Sequence, residues 1–119
     1  MVQDEQRRFE IIVSDFNPEV LYKKLVEAGE DWTDRQAAAE LLEETRKTVL
    51  AELMCATQGS MAARETEALA DPVYKLHVTN MVTARKEANR ARVRYDSMRV
   101  LAELRRTEQS TRRAEMSLR

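Results

Sequence analysis

Turn-forming residues are almost missing from this chain: 119 residues hold two glycines, Gly29 and Gly59, and two prolines, Pro18 and Pro72. Folds made of many short strands need such residues at close intervals, so an all-β architecture is excluded. Aromatic residues make up only 5% of the chain, which leaves no large aromatic core and makes helix–helix seams the main source of burial. Cys55 is the single cysteine; it cannot form an internal disulfide and is expected to be a small helical hydrophobe. His77 is the single histidine, and one His with one Cys falls short of a zinc ligand set. A Cys–His dyad would need Cys55 and His77 to meet across the fold. Phosphate-cradling glycine loops, nucleophile elbows and EF-hand loops are all lacking. Glu43-Glu44 and Glu65/Glu67 have the look of solvated helix faces rather than acid/base pairs. The expectation is a protein that is not an enzyme and holds no cofactor or metal. With no long apolar run and no signal-peptide pattern, it is expected to be soluble and cytoplasmic, with no membrane partner.

What the chain does have is 43% hydrophobic and 34% charged residues, rich in Ala, Glu, Arg and Leu. That composition predicts an all-α fold with few loops, and the length bounds it to one domain at most. We divide it into an N-terminal arm and short helix over 1–33 and a helical hairpin, or coiled-coil domain, over 34–119.

The organising stretch runs from Asp71 to about Arg113. Asp71 and Pro72 form a helix start, because an Asp side chain accepts a backbone N–H there and Pro at the first position loses no hydrogen bond. Tyr74, His77, Met81, Ala84, Ala88, Ala91, Tyr95, Met98 and Ala102 then step by three and four, the a/d pattern of a coiled coil. Leu101 and Leu104 widen the apolar stripe. Arg105 and Gln109 weaken it, and fraying is expected past about Thr111. The candidate helix interface is Tyr74, His77, Met81, Ala84, Ala88, Ala91, Tyr95, Met98 and Leu101. His77, lying on this seam, is expected to be a packed interface residue.

Upstream, Phe9, Ile11 and Val13 alternate over a short span, a weak strand signal with no second strand to pair with. An irregular or short helical arm packed by Phe9 and Phe16 is the preferred expectation. Asn17-Pro18-Glu19 repeats the cap-then-proline start, and a short helix with Leu21, Leu25 and Val26 on one side is expected to stop at Gly29. Thr33 and Gln36 have capping-box spacing, with Trp32 placed to staple onto the first turn. The next helix is expected over about 34–57, with Ala38, Leu41, Leu42, Thr45, Val49, Leu53 and Ala56 on one face, broadened by Leu50 and Met54. Gly59 supplies its left-handed cap, Met61 to Ala70 is a further helical segment, and an antiparallel elongated hairpin follows. At about 1.5 Å per residue, a partner of roughly 36 Å cannot cover a long helix of roughly 63 Å. Either the N-terminal helix covers part of the remainder, or Tyr95, Met98, Leu101 and Leu104 are exposed; self-association through the long helix, giving a homo-oligomer, is the preferred expectation.

Charge is unevenly spread. The overall balance is −1, yet residues 72–119 hold 12 Lys/Arg against 5 Asp/Glu and residues 1–71 hold 8 against 16. Either the basic half binds an external polyanion or the two halves neutralise each other. Arg85, Arg92, Arg99 and Arg106 recur at sevens and form one longitudinal stripe. With Lys86 and Arg105 they are the candidate polyanion-binding residues, since Arg forks suit phosphates and binding would release counterions. The competing expectation pairs the stripe with Glu40, Glu43, Glu44 or Glu52 of the neighbouring helix. Base stacking is disfavoured, because Tyr74 and Tyr95 both lie on the seam.

In AAAELLEETRKTVLAELM (37–54) and YKLHVTNMVTARKEANRARVRYDSMRVLAELRRTEQSTRRAEM (74–116), the chain resembles small helical, coil-containing proteins of tailed bacteriophages and prophages. Their genes tend to lie in early or recombination neighbourhoods. The resemblance covers roughly 34–117 and has no catalytic motif. It implies a phage context in the host cytoplasm. The function expected is that of an interaction protein acting by its helical faces on a phage or host protein. The alternatives are a DNA-binding accessory of recombination or replication and an inhibitor docking on a host enzyme with the acidic N-terminal half.

Overall fold

In the computed structural model, which describes residues 17–118, the chain folds as three helices with no strand among those residues. Helix α1 spans Pro18–Cys55, α2 spans Met61–Ala70 and α3 spans Pro72–Ser117. The all-α hairpin expected from the composition is the fold observed. The arm packed by Phe9 and Phe16 lies outside the described residues. No helix among them is long and apolar enough to cross a membrane.

The two cap-and-proline starts behave as their chemistry dictates. Asn17 Oδ1 accepts from the N–H of Glu19 at 3.1 Å, with Pro18 opening α1. Asp71 Oδ1 accepts from the N–H of Val73 at 2.8 Å, with Pro72 opening α3. Asp71 is the one residue between α2 and α3, and its backbone is extended (φ −67°, ψ 134°), the conformation that a following proline imposes. Ser60 caps α2, its hydroxyl accepting from the N–H of Ala63 at 3.2 Å.

Between those starts the expected break at Gly29 does not occur. A single helix of 38 residues runs through it, and the short N-terminal helix is simply the first turns of α1. Gly29 is not in the left-handed conformation that a glycine stop requires; Gly59 alone is, at φ 120°. Nor do Thr33 and Gln36 start a helix, since α1 runs through both; the Gln36 side chain donates one turn onward to Glu40 at 3.2 Å. The reason is that Leu21, Leu25, Ala28, Trp32, Arg35, Ala39 and Leu42 keep one phase of three and four across Gly29, so packing along a single face outweighs one weak helix former. That phase also shifts the buried face by one residue. Ala39 is sealed, whereas Ala38, Leu41 and Ala56, expected on the seam, are exposed.

The ends differ as well. Helix α1 stops at Cys55 and tightens into i→i−3 turns, with the N–H of Ala56 and Thr57 donating to Leu53 and Met54 carbonyls at 3.2 Å each. Gly59 thus shapes the connection to α2 rather than capping α1 directly. Cys55 is exposed rather than packed. Helix α3 continues past Thr111 to Ser117, supported by the Arg112–Glu108 pair at 2.8 Å, one turn apart.

The contacts gather into two units. In residues 32–90, the second part of α1 and the first part of α3 run antiparallel: Arg35 pairs with Glu87 and Leu42 meets His77. Its sealed residues are Ala39, Ala68 and Ala88, side chains small enough to let helix backbones approach closely. In the unit that holds residues 17–31 and 91–118, the start of α1 packs on the rest of α3. Leu21 and Ala91 are buried there, and the Tyr95 ring lies where a Cβ on Gly29 would be 3.5 Å away. At about 1.5 Å per residue α1 is roughly 57 Å long, so the premise of a partner too short to reach Tyr95 and Met98 fails.

Candidate helix-interface and polyanion-binding faces

Helix α3 presents three faces, each set by a different sequence register. The first is the a/d seam. Ala88 and Ala91 are buried on it, and Tyr74, His77, Met81, Ala84, Tyr95, Met98 and Leu101 are all half-buried. Tyr95, Met98 and Leu101 are therefore not the exposed residues that the shorter partner implied; of that group only Leu104 is, at 61%. His77 Nε2 lies 2.7 Å from the carbonyl oxygen of Leu42. A carbonyl only accepts, so Nε2 carries the proton and donates across the hairpin. This half-buried bond ties α3 to α1 alongside the Arg35–Glu87 and Arg85–Glu43 pairs.

Beside the seam runs the arginine stripe. Arg85 is its inward member: Nε and Nη2 each donate to one carboxylate oxygen of Glu43 at 2.8 Å. The fork–carboxylate geometry is bidentate, the strong form of such a pair. The Arg85 hydrogen bonds hold the Glu43 carboxyl below its ordinary value, against a smaller opposing effect of desolvation, and Glu43 in turn raises Arg85. Arg105 pairs with Glu108 at 3.3 Å and Arg99 reaches Asp96 at 3.9 Å. Arg92, Arg106 and Lys86 are exposed with no ion pair among the described residues. The six candidate polyanion residues thus divide. Arg85 is committed to the hairpin, Arg99 and Arg105 are paired along their own helix, and three remain open.

The third face lies opposite the seam. Val93, Ser97, Val100, Leu104, Thr107, Thr111, Ala114 and Leu118 step by four and three along α3, and none of the eight is charged. All eight are exposed, with Val93 at 59% and Val100 at 49%. Asp96, Ser97, Val100, Leu101 and Leu104 line a shallow groove on it. In the sequence Leu104 marks a widening of the seam, while Val93 and Val100 fall outside the a/d pattern. The signal was present: the same three-and-four step, started at Val93, threads a strongly charged helix without meeting a charge.

Such an arrangement can bind and orient another helix. Among the described residues no cluster of three His, Cys, Asp or Glu could hold a metal ion. No family model matches the chain, and no curated protein or solved structure matches it.

Proposed function

We propose that this chain is a non-enzymatic helical interaction protein acting by protein–protein contacts along α3, in the phage context that the resemblance implies. One observation carries the reading: the uncharged row from Val93 to Leu118 stands in solvent on the outer side of the hairpin. A helix whose inner seam is already satisfied has no structural need of a second uncharged row. Its large apolar members, Val93, Val100, Leu104 and Leu118, are exposed, and exposed apolar surface is where proteins associate. The partner is a phage or host protein, and the host cytoplasm is the place of action.

The second reading, a DNA-binding accessory, draws on Lys86, Arg92 and Arg106, which lack ion pairs among the described residues. Against it, Asp96, Glu103 and Glu108 are interleaved with the arginines, and both tyrosines of α3 are half-buried on the seam, so neither stands beside the arginines as a free ring to stack on bases. Fluorescence anisotropy of labelled single- and double-stranded DNA across a salt series separates the two. The protein-contact reading predicts no salt-sensitive binding. Binding that weakens steeply with salt and vanishes in Arg92→Glu/Arg99→Glu/Arg106→Glu would overturn it in favour of the polyanion.

A further inference from the structure

The outer row of α3 is not symmetrical in its flanks, and the flanks specify a partner. On one side of the row stand Arg94, Leu101, Glu108 and Glu115; on the other stand Asp96, Glu103, Ser110 and Ser117. Resting on the protein-contact reading above, we infer that the partner seated on this row is a second copy of the same chain, with the two α3 helices antiparallel.

The register follows from full overlap of the uncharged stretches. Val93 of one copy then meets Leu118 of the other, Ser97 meets Ala114, Val100 meets Thr111 and Leu104 meets Thr107. Val100–Thr111 and Leu104–Thr107 set a larger apolar side chain against a smaller one, Ser97–Ala114 sets two small ones together, and Val93 meets the terminal Leu118. In antiparallel pairs like flanking positions face each other. Arg94 therefore falls beside Glu115 of the other copy, twice by the two-fold symmetry, while Glu103 and Asp96 fall beside Ser110 and Ser117. Arg94 and Glu115 have no ion pair among the described residues, so both are available. Parallel in-register pairing does the reverse: it sets Glu103 of each copy beside Glu108 of the other, and like charges across a seam disfavour it. Shifting the antiparallel register toward the start of α3 brings Lys86 and Arg90, which continue the same row, onto uncharged positions. A two-fold pair of this kind is closed and self-limiting.

The test is sedimentation equilibrium of the full chain over a concentration series. The wild type is expected to dimerise. Val100→Glu/Leu104→Glu is expected to weaken the dimer about a hundredfold or more, because it seats four carboxylates on one apolar seam. Both side chains are exposed in the hairpin, so helicity by circular dichroism should be unchanged. Val82→Glu, on an equally exposed α3 residue off the row (62%), should leave the dimer intact. Arg94→Glu should weaken it and Arg94→Glu/Glu115→Arg should restore it. Orientation is read in a Cys55→Ala background by mixing Ser97→Cys with Ala114→Cys protein under mild oxidation. Antiparallel pairing yields the mixed disulfide; self-linked Ser97→Cys protein would mean parallel pairing and overturn the inference. A monomer at every concentration would overturn it as well, while the protein-contact reading stands or falls separately on the DNA titration.

Discussion

The Glu43–Arg85 pair ties two helices through two bonds of 2.8 Å, yet both side chains remain more than a third exposed. Water therefore screens it, and its worth is modest. Its pH signature is nonetheless specific. Glu43 is held below the ordinary 4.5 in the folded state, so the contribution is fully present above 4.5 and is lost as pH falls through the lower folded value. Glu43→Gln should lower the urea midpoint near neutrality, and the gap from wild type should close in acid below 4.5. A gap that is constant with pH would show that the carboxylate charge contributes nothing. The two glycines make opposite predictions. Gly29 is helical, and a Cβ there would make an ordinary 3.5 Å contact with Tyr95, so Gly29→Ala should stabilise by roughly 0.5–1 kcal/mol. Gly59 sits at φ 120°, where an L side chain is strained, so Gly59→Ala should cost about 1 kcal/mol or more. Thermal and urea midpoints of the two variants moving in the same direction would contradict this account of α1.

At the scale of elements, α1 is the instructive case. Its start was readable from Asn17-Pro18, as α3's was from Asp71-Pro72, because capping is local chemistry that needs no knowledge of the fold. The seam of α3 was readable because nine successive positions keep its phase. The break at Gly29 was misjudged because glycine, Asp31 and the Thr33–Gln36 spacing are local punctuation. What decided the matter was a phase sustained from Leu21 to Leu42, and tertiary packing overrides propensity when the two conflict. The face error has the same source: once α1 is continuous, the seam passes through Ala39 rather than Ala38. Ala39→Leu should therefore cost about 1–3 kcal/mol by overpacking. Ala38→Leu, one residue away and exposed, should change stability by no more than about 0.5 kcal/mol. Equal effects of the two in denaturant titrations would place the seam elsewhere. The outer row of α3 escaped notice for a different reason. Threonine, serine and alanine carry little hydropathy, and only their freedom from charge among so many arginines marks the face.

At the scale of the molecule, the buried side chains among the described residues are one leucine, Leu21, and four alanines, Ala39, Ala68, Ala88 and Ala91. Alanine seams let helices approach closely but each removes little apolar area from water, and burial scales with area. Alanine seams of this kind gain proportionately from any further apolar surface that association covers. Covering the outer row of α3 would stabilise the folded chain by mass action, since a partner that binds only the folded state raises its stability with concentration. Thermal unfolding by circular dichroism at a series of protein concentrations is the most direct measurement. The account predicts a midpoint that climbs with concentration for the wild type and stays flat for Val100→Glu/Leu104→Glu, with the two converging at the lowest concentration. A wild-type midpoint independent of concentration, matching the variant throughout, would contradict it.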